Sequence, residues 1–493
     1  MRVSGVLLHP TSLPGGHGIG DLGAWAFRFA DFLSESGQGL WQVLPLAPPA
    51  EANSPYKAYS SMAGNPLLIS LDLLASDGML AHADLAEAPS FPAEAVDFAA
   101  VAEFKWRLLK KTARAFFMDA APENRRRFEQ FCARHQFWLD QFAVFAALRD
   151  ANGGSPWTTW DRQQVPEPEN VRLHKYLQFE FFRQWQALKK YCHERGIHMV
   201  GDLPIFVAYD SADVWGNPGL FDLDARGCPR TVAGVPPDYF SATGQLWGNP
   251  LYRWDVMERT GYQWWIDRMR CMLEQFDLVR IDHFRGFEQY FEIPADAKTA
   301  AQGHWVDGPR DRFFEALSRA FGKLPFIAED LGMITPEVLA LRDRWGFPGM
   351  RILQFAFLND WHEDPFKPHN FIPNCVVYTG THDNDTTLGW FRAVGEDTRT
   401  AEQRRVERER ALRYLHSDGK EIHWDFIRAA VSSLADIAIF PLQDALGLGS
   451  EARMNVPSRA ENNWRWRFLP QQLTLEISAK LRELGRAGGR LRY

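Results

Sequence analysis

Val279-Arg-Ile-Asp-His-Phe-Arg-Gly286 is a short apolar run that ends in charged residues. A strand that is buried on both faces and opens into a site at its C-terminal end has this pattern. Because side chains on a strand alternate with period two, Arg280 and Asp282 share one side of it, where the guanidinium would orient the carboxylate and keep it ionised. Two interpretations of this segment stay open: a surface ion pair beside a core strand, or a catalytic carboxylate.

The composition excludes several classes of protein. The chain has 493 residues, of which 46% are hydrophobic and 14% aromatic, enough for a large core. This length fits two to three domain-sized units or one α/β barrel with insertions. A formal net charge of −7 disfavours nucleic acid or an anionic membrane as the main partner. Tryptophans and tyrosines beside loop glycines suggest flat faces that stack on a ligand.

The cysteines and histidines show no metal or disulfide pattern. Five cysteines are scattered without a Cys-x-x-Cys pair, and the histidines lack zinc-ligand spacing. No Gly-rich phosphate loop, secretory signal or run of about 20 apolar residues is visible. We therefore expect a soluble cytoplasmic protein that uses no metal or organic cofactor.

Eight short apolar runs alternate with helical patterns along the chain. They lie near residues 3, 40, 197, 277, 325, 350, 375 and 437. This alternation predicts an α/β fold, a (β/α)8 TIM barrel with long, mainly helical and loop-rich insertions after strands 2 and 3. We expect a catalytic barrel over residues 1–493, a helical insertion at 67–191 and a loop-rich insertion at 205–272.

Several predicted strand ends carry a carboxylate. Asp202 ends the third strand, Asp282 the fourth, Glu329 the fifth and Asp383 the seventh, beside His382. Each alone is explained by a helix cap, an ion pair or a turn. Together they fit glycosidic bond cleavage, in which one carboxylate attacks the anomeric carbon while a carboxylic acid protonates the leaving oxygen. Neighbouring barrel strands can provide the separation of about 5–5.5 Å that a retaining pair needs.

Sequence motifs from one end of the chain to the other carry a more specific signal. They are Leu8-His-Pro-Thr-Ser-Leu-Pro14, Ser54-Pro-Tyr56, Gly64-Asn-Pro66, Gly201-Asp-Leu-Pro204, Pro237-Asp-Tyr-Phe-Ser241, Leu246-Trp-Gly-Asn-Pro250, Val279 to Gly286, Ala328-Glu-Asp-Leu-Gly332, Thr381-His-Asp-Asn-Asp385 and Met454-Asn-Val-Pro457. In this order they resemble the amylomaltases, the 4-α-glucanotransferase family (glycoside hydrolase family 77) of the α-amylase superfamily.

The resemblance implies roles for individual residues. Asp282 would be the nucleophile, Glu329 the general acid/base and Asp383 the transition-state stabiliser. The implied substrate-binding residues are Ser54, Tyr56, Asp202, Asp238, Tyr239, Phe240, Trp247, Arg280, His283, His382 and Asn463. The loop from Asn455 to Trp464 would arch over the glucan. In that loop Ser458 and Asn462 replace residues that are usually Gly in the family, which alters the backbone angles that the loop adopts without strain.

The resemblance implies retaining transfer of α-1,4-glucan segments to the 4-hydroxyl of glucose or a maltooligosaccharide, without a metal ion or cofactor. Two alternatives stay open: an α-glucan hydrolase on the same scaffold, and a non-catalytic protein that binds glucans through its aromatic loops. The products formed from maltotriose separate transfer from hydrolysis.

Overall fold

Parallel strands form a closed barrel in the computed structural model, which describes residues 2–237, 243–392, 399–457 and 459–491. The strands of these residues are β1 (Val3–Leu7), β2 (Leu40–Gln42), β3 (His198–Pro204), β4 (Thr231–Val235), β5 (Gln245–Pro250), β6 (Leu278–Asp282), β7 (Gln289–Pro294), β8 (His304–Asp307), β9 (Phe326–Ala328), β10 (Gly349–Ile352), β11 (Cys375–Tyr378) and β12 (Ile437–Pro441).

The barrel confirms the predicted fold class. Its strand order is β1-β12-β11-β10-β9-β6-β3-β2, and each of the eight apolar runs of the sequence supplies one strand. The runs are apolar because one face of each barrel strand packs against interior side chains and the other face against helices. In agreement with this, all residues of β1 and β11 are buried. Gly5 of β1 allows a close approach to β2, since a Cβ there would lie 2.4 Å from the Cβ of Leu40.

Helices surround the barrel and fill the insertions. They are α1 (Ala24–Glu35), α2 (Leu71–Ser76), α3 (His82–Ala86), α4 (Phe98–Asp119), α5 (Pro122–Ala151), α6 (Pro168–Glu194), α7 (Ala212–Gly216), α8 (Trp254–Arg259), α9 (Gln263–Gln275), α10 (Arg310–Phe321), α11 (Pro336–Arg344), α12 (Thr387–Arg392), α13 (Ala401–Leu415), α14 (Ile422–Ser432), α15 (Leu442–Ala445) and α16 (Leu475–Ala487). Among the described helices, none has the length and apolar character needed to cross a membrane.

The insertions follow β2 and β3, as predicted for the fold class. Helices α2 to α6 lie between β2 and β3, and α6 packs on α9 through Trp185, whose Nε1 donates to the Gln275 carbonyl at 3.1 Å. One connection differs from the expected helix. Residues 353–374, all of them described, hold two 3₁₀ turns between β10 and β11, where Pro365, Pro368 and Pro373 oppose a continuous helix.

A second sheet, not anticipated from the sequence, stands beside the barrel. Its order is β5-β4-β7-β8, with antiparallel pairing throughout. Two of its strands come from the segment before β6 and two from the segment after it. The sequence of β5, Gln245-Leu-Trp-Gly-Asn-Pro250, contains Gly and Pro, and only its last residue is buried, so the alternation that marks a half-buried strand is weak there. This sheet carries Trp247.

Arg490 bridges β1 and the segment before β12, where the barrel closes, and replacing it is expected to lower the free energy of unfolding. Its buried guanidinium donates to the carbonyl oxygens of Val3, Val431, Ala435 and Asp436 at 2.6–3.0 Å. Arg490→Met leaves these buried acceptors without donors, so we expect a loss of about 3 kcal/mol in the free energy of unfolding. Urea denaturation monitored by tryptophan fluorescence measures the loss. The exposed Arg486→Met is the control, and an equal effect of both variants contradicts the interpretation.

Candidate active site

Arg280 joins two of the predicted carboxylates inside the barrel. Its side chain is buried in β6, and its Nη1 donates to both carboxylate oxygens of Asp202 at 2.8 Å. Its Nη2 lies 2.9 Å from Oδ1 of Asp282. The contact follows from strand geometry, because Arg280 and Asp282 share a side of β6 and the register pairs Arg280 with Asp202 of β3. One guanidinium therefore orients two carboxylates.

Asp282 is the last residue of β6, and its side chain remains 30% exposed at the C-terminal end of the barrel. Desolvation raises the pKa of the Asp282 carboxyl, and the charge of Arg280 opposes that rise. The ion pair holds the carboxylate in one orientation at the C-terminal end of the barrel, where active sites lie in this fold.

Glu329 follows β9 and is held by the backbone. The N–H of His283 donates to its Oε2 at 2.7 Å, and the N–H of Leu331 donates to its Oε1 at 2.9 Å. Burial and the neighbouring charge of Asp282 raise the pKa of Glu329 to about 7, against these hydrogen bonds. The next residue, Asp330, has a different role, since its buried carboxylate accepts hydrogen bonds from Arg342 and from the backbone N–H of Met350.

Asp383 is the most exposed of the three carboxylates and has two polar neighbours. Its Oδ2 lies 3.4 Å from Nε2 of His382, and its Oδ1 accepts a hydrogen bond from the Asn455 amide at 2.7 Å. Desolvation opposes ionisation here, but the His382 ring and the Asn455 amide hold the pKa of Asp383 well below its usual range. The charge of Asp383 in turn raises the pKa of His382 despite its burial. This pair favours an ionised carboxylate beside a charged imidazole.

Tyr56 links the loop after β2 to the carboxylates. Its hydroxyl donates to Oδ2 of Asp202 at 2.7 Å and lies 3.2 Å from Nδ1 of His382. Its ring stacks on His382 with centroids 4.7 Å apart and an interplanar angle of 22°. The Trp464 ring lies 6.0 Å from Tyr56 and 5.9 Å from His382. The three rings form an aromatic cluster next to Asp383, of the kind that packs against sugar rings.

His283 and Trp247 lie next to each other. His283 has a left-handed φ of 54°, which turns the chain directly after Asp282 and allows the His283 N–H to reach Glu329. Its ring meets Trp247 edge to face, with centroids 4.8 Å apart. Burial lowers the pKa of His283 to about 3, so the ring is neutral. Within the described residues its buried Nε2 has no hydrogen-bond partner.

Other residues of the predicted set are placed differently. Ser54 accepts a hydrogen bond from the Tyr56 N–H at 3.3 Å and so supports that loop. The amide nitrogen of Asn463 donates to the carbonyls of Val456 and Arg459, and its oxygen accepts from the Val456 N–H, so this side chain shapes its own loop. A direct contact of Asn463 with sugar stays a prediction. Asp238, Tyr239, Phe240 and Ser458 lie outside the described residues.

The sequence reasoning placed Asn455 and Trp464 at the ends of the loop over the glucan but predicted no individual contact for either residue. Asn455 is part of the Met454-Asn-Val-Pro457 motif, but nothing in that motif indicates that its amide contacts Asp383.

Asn462 has a left-handed φ of 62°, a conformation that Asn tolerates better than most residues. The loop therefore keeps a glycine-like turn without glycine at this position.

Comparison with known proteins identifies the family. The family model described as 4-alpha-glucanotransferase matches residues 8–473. The 4-alpha-glucanotransferase of Thermus thermophilus is 49% identical over 99% of this chain and 99% of its own length. The enzyme of the same name from Synechocystis is 48% identical over 100% of this chain and 99% of its own. The chain belongs to the 4-α-glucanotransferase family.

A solved structure agrees with this assignment. The amylomaltase from Streptococcus agalactiae, solved in complex with acarbose, superposes with a TM-score of 0.94 and 36% identity over the full length of both chains. The resemblance inferred from the motifs is thus confirmed, as is the predicted enzyme class. The chain is an enzyme with 4-α-glucanotransferase activity, and its substrates are α-glucans.

Proposed function

We infer that this enzyme transfers α-1,4-glucan segments to the 4-hydroxyl of glucose or a maltooligosaccharide by a retaining double displacement. The proposed nucleophile is Asp282, the general acid/base is Glu329 and the transition-state stabiliser is Asp383. The observation that carries the proposal is the difference in partners between two carboxyl groups. Asp282 is paired with Arg280 at 2.9 Å, and this charge opposes the rise that burial causes in its pKa. Glu329 is held by two backbone N–H groups, and its pKa is raised to about 7. A carboxylate that is held ionised can attack as the nucleophile, whereas a carboxyl group with a raised pKa keeps the proton that an acid must donate.

In the first step, an oxygen of Asp282 attacks the anomeric carbon of the donor glucan. The bond from that carbon to the glycosidic oxygen breaks, and the proton of Glu329 moves to the leaving oxygen. The ionised Asp383, fixed by Asn455, favours the positive charge that develops on the sugar ring. The product is a covalent glucosyl-enzyme and a shortened glucan.

In the second step, Glu329 accepts the proton of the acceptor 4-hydroxyl, whose oxygen attacks the same carbon and releases Asp282. Two inversions leave the α-configuration unchanged. Transfer exceeds hydrolysis when the acceptor displaces water, a role that we assign to Trp247 and the loop from Asn455 to Trp464. The Nε2 of His283, which has no hydrogen-bond partner in the described part of the chain, would bind an acceptor hydroxyl beside Trp247. These steps need no metal ion or organic cofactor.

The products formed from maltotriose test the proposal. We expect glucose together with a ladder of longer maltooligosaccharides, separated by chromatography. Glucose and maltose without longer products would instead identify an α-glucan hydrolase. The configuration of the newly formed glycosidic bond, read by NMR of the longer products, tests retention separately, since an inverting enzyme would form a β-1,4 linkage. We also propose a cytoplasmic location, which suits the five free cysteines of the chain.

The pH dependence of kcat/KM for maltotriose is expected to fall above about pH 7. Glu329 must be protonated for the first step, and a raised pKa keeps its proton until the pH approaches about 7. Activity also falls in acid, where Asp282 becomes protonated. A glucosyl fluoride donor provides the control, because fluoride leaves without a proton and the basic limb should disappear. A basic limb that persists with the fluoride would assign it to another group.

A further inference from the structure

A cluster of two histidines and an aspartate lies at the end of the barrel opposite the catalytic carboxylates. His193 is in the last turn of α6, His198 begins β3 and Asp277 directly precedes β6. Since β3 and β6 are paired in parallel, their N-terminal ends are neighbours. Asp277 lies five residues before Asp282 on the same strand path, a separation of about 16 Å. The cluster is therefore separate from the active site.

The two histidines converge on one carboxylate oxygen of Asp277. Nε2 of His193 lies 2.8 Å from Oδ2 of Asp277, and Nδ1 of His198 lies 3.7 Å from the same atom. The candidate ligand atoms are all within 4.8 Å of one another. The backbone N–H of Met199 donates to Oδ2 at 2.8 Å and fixes the carboxylate, while the ammonium of Lys189 lies 3.4 Å from the other oxygen, Oδ1.

We propose that His193, His198 and Asp277 bind one Zn²⁺ ion, through two imidazole nitrogens and one carboxylate oxygen, with water as the fourth ligand. Imidazole and carboxylate are ordinary zinc ligands, and an orienting hydrogen bond to the ligating carboxylate, here from the Met199 N–H, is common in such sites. The sequence alone predicted no metal ion, because the ligands come from three elements and no zinc motif is present.

Zinc binding requires only small movements. Bonds of about 2.0–2.2 Å at tetrahedral angles separate the ligand atoms by about 3.4 Å. The 2.8 Å contact of His193 must therefore lengthen and the 3.7 Å distance of His198 must shorten, each by less than about 1 Å. The two histidine nitrogens, which lie within 4.8 Å of each other, must approach by at most about 1.4 Å. Both histidine side chains are 41% exposed, so solvent reaches the cluster. Zn²⁺ would replace the contacts of the two histidines with Oδ2 by coordinate bonds, while the Met199 N–H keeps its hydrogen bond to the carboxylate.

The position of the cluster indicates a structural role. The N-terminal face of such barrels contributes to stability, while chemistry takes place at the opposite face. The ion would tie the end of α6, and with it the helical insertion, to β3 and β6. The positive charge of Lys189 beside Oδ1 weakens cation binding, so we expect zinc that exchanges with chelators.

Zinc titration of the full-length, chelator-treated enzyme tests the proposal. Competition with a chromogenic chelator should detect one Zn²⁺ per chain that is lost in the double variant His193→Gln/His198→Gln. Saturating Zn²⁺, at about a hundred-fold excess over Kd, should raise the Tm of the wild type by about 2 °C or more and leave the Tm of the double variant unchanged. Because the Tm of each variant is compared with and without zinc, a loss of stability caused by the substitutions themselves does not affect the result.

A second histidine pair provides the matched control. The rings of His362 and His369 stack 4.6 Å apart, but both ring nitrogens of His369 contact protein oxygens. The variant His362→Gln/His369→Gln should therefore keep the zinc equivalent and the rise in Tm. If the His193/His198 variant binds as much zinc as the wild type, or the wild type binds none, the cluster is an ion pair only and the proposal is wrong.

Discussion

Replacing Asp282 with asparagine is expected to lower kcat for maltotriose at least about 10⁴-fold, the largest effect of any single substitution in this enzyme. Asparagine has the same shape but lacks the negative charge that attacks the anomeric carbon. The fold should persist, because Arg280 keeps its two hydrogen bonds to Asp202. Initial rates of glucose release measure the effect, and thermal denaturation checks that the variant is folded.

The same substitution at a surface aspartate is the control. Asp418 forms an exposed ion pair with Lys420 at 2.9 Å, so Asp418→Asn should leave kcat within about two-fold of the wild type. A folded Asp282→Asn variant that retains more than a hundredth of the wild-type kcat would show that another residue is the nucleophile.

Replacing Glu329 with glutamine is expected to lower kcat for maltotriose about 10³-fold, since the variant lacks both the acid of the first step and the base of the second. A glucosyl fluoride donor needs no acid, so the first step should recover with it while the glucosyl-enzyme accumulates. Added azide should then restore turnover, because this anion attacks without a base. Rates of fluoride release with and without azide measure the recovery.

The configuration of the azide product distinguishes the two carboxylates. Glucosyl azide from Glu329→Gln should be the α-anomer, formed through Asp282 by two inversions. In Asp282→Asn, azide can only replace the missing nucleophile, so a single inversion of the α-fluoride should give the β-anomer. NMR of the products reads both. The reverse pattern would exchange the roles of Asp282 and Glu329.

Much of the barrel could be predicted because its signals are local. Each barrel strand is a short apolar run, and period-two alternation alone placed Arg280 beside Asp282, as the 2.9 Å contact shows. The β5 strand and the connection after β10 were less predictable. Gly and Pro weaken the alternation in β5, and prolines replace the expected helix before β11 with 3₁₀ turns.

The sequence by itself determined the barrel, the carboxylates at its strand ends and, through its motifs, the family. Only the tertiary structure decided which distant groups meet. It decided that Asn455 contacts Asp383, that Tyr56 contacts Asp202, and that two histidines of the α6–β3 segment reach Asp277. The physical reason is the distance along the chain over which each kind of interaction acts. Strand and helix patterns reflect the burial of neighbouring residues, whereas these contacts depend on the register of the closed barrel and the paths of its loops, which no local pattern encodes.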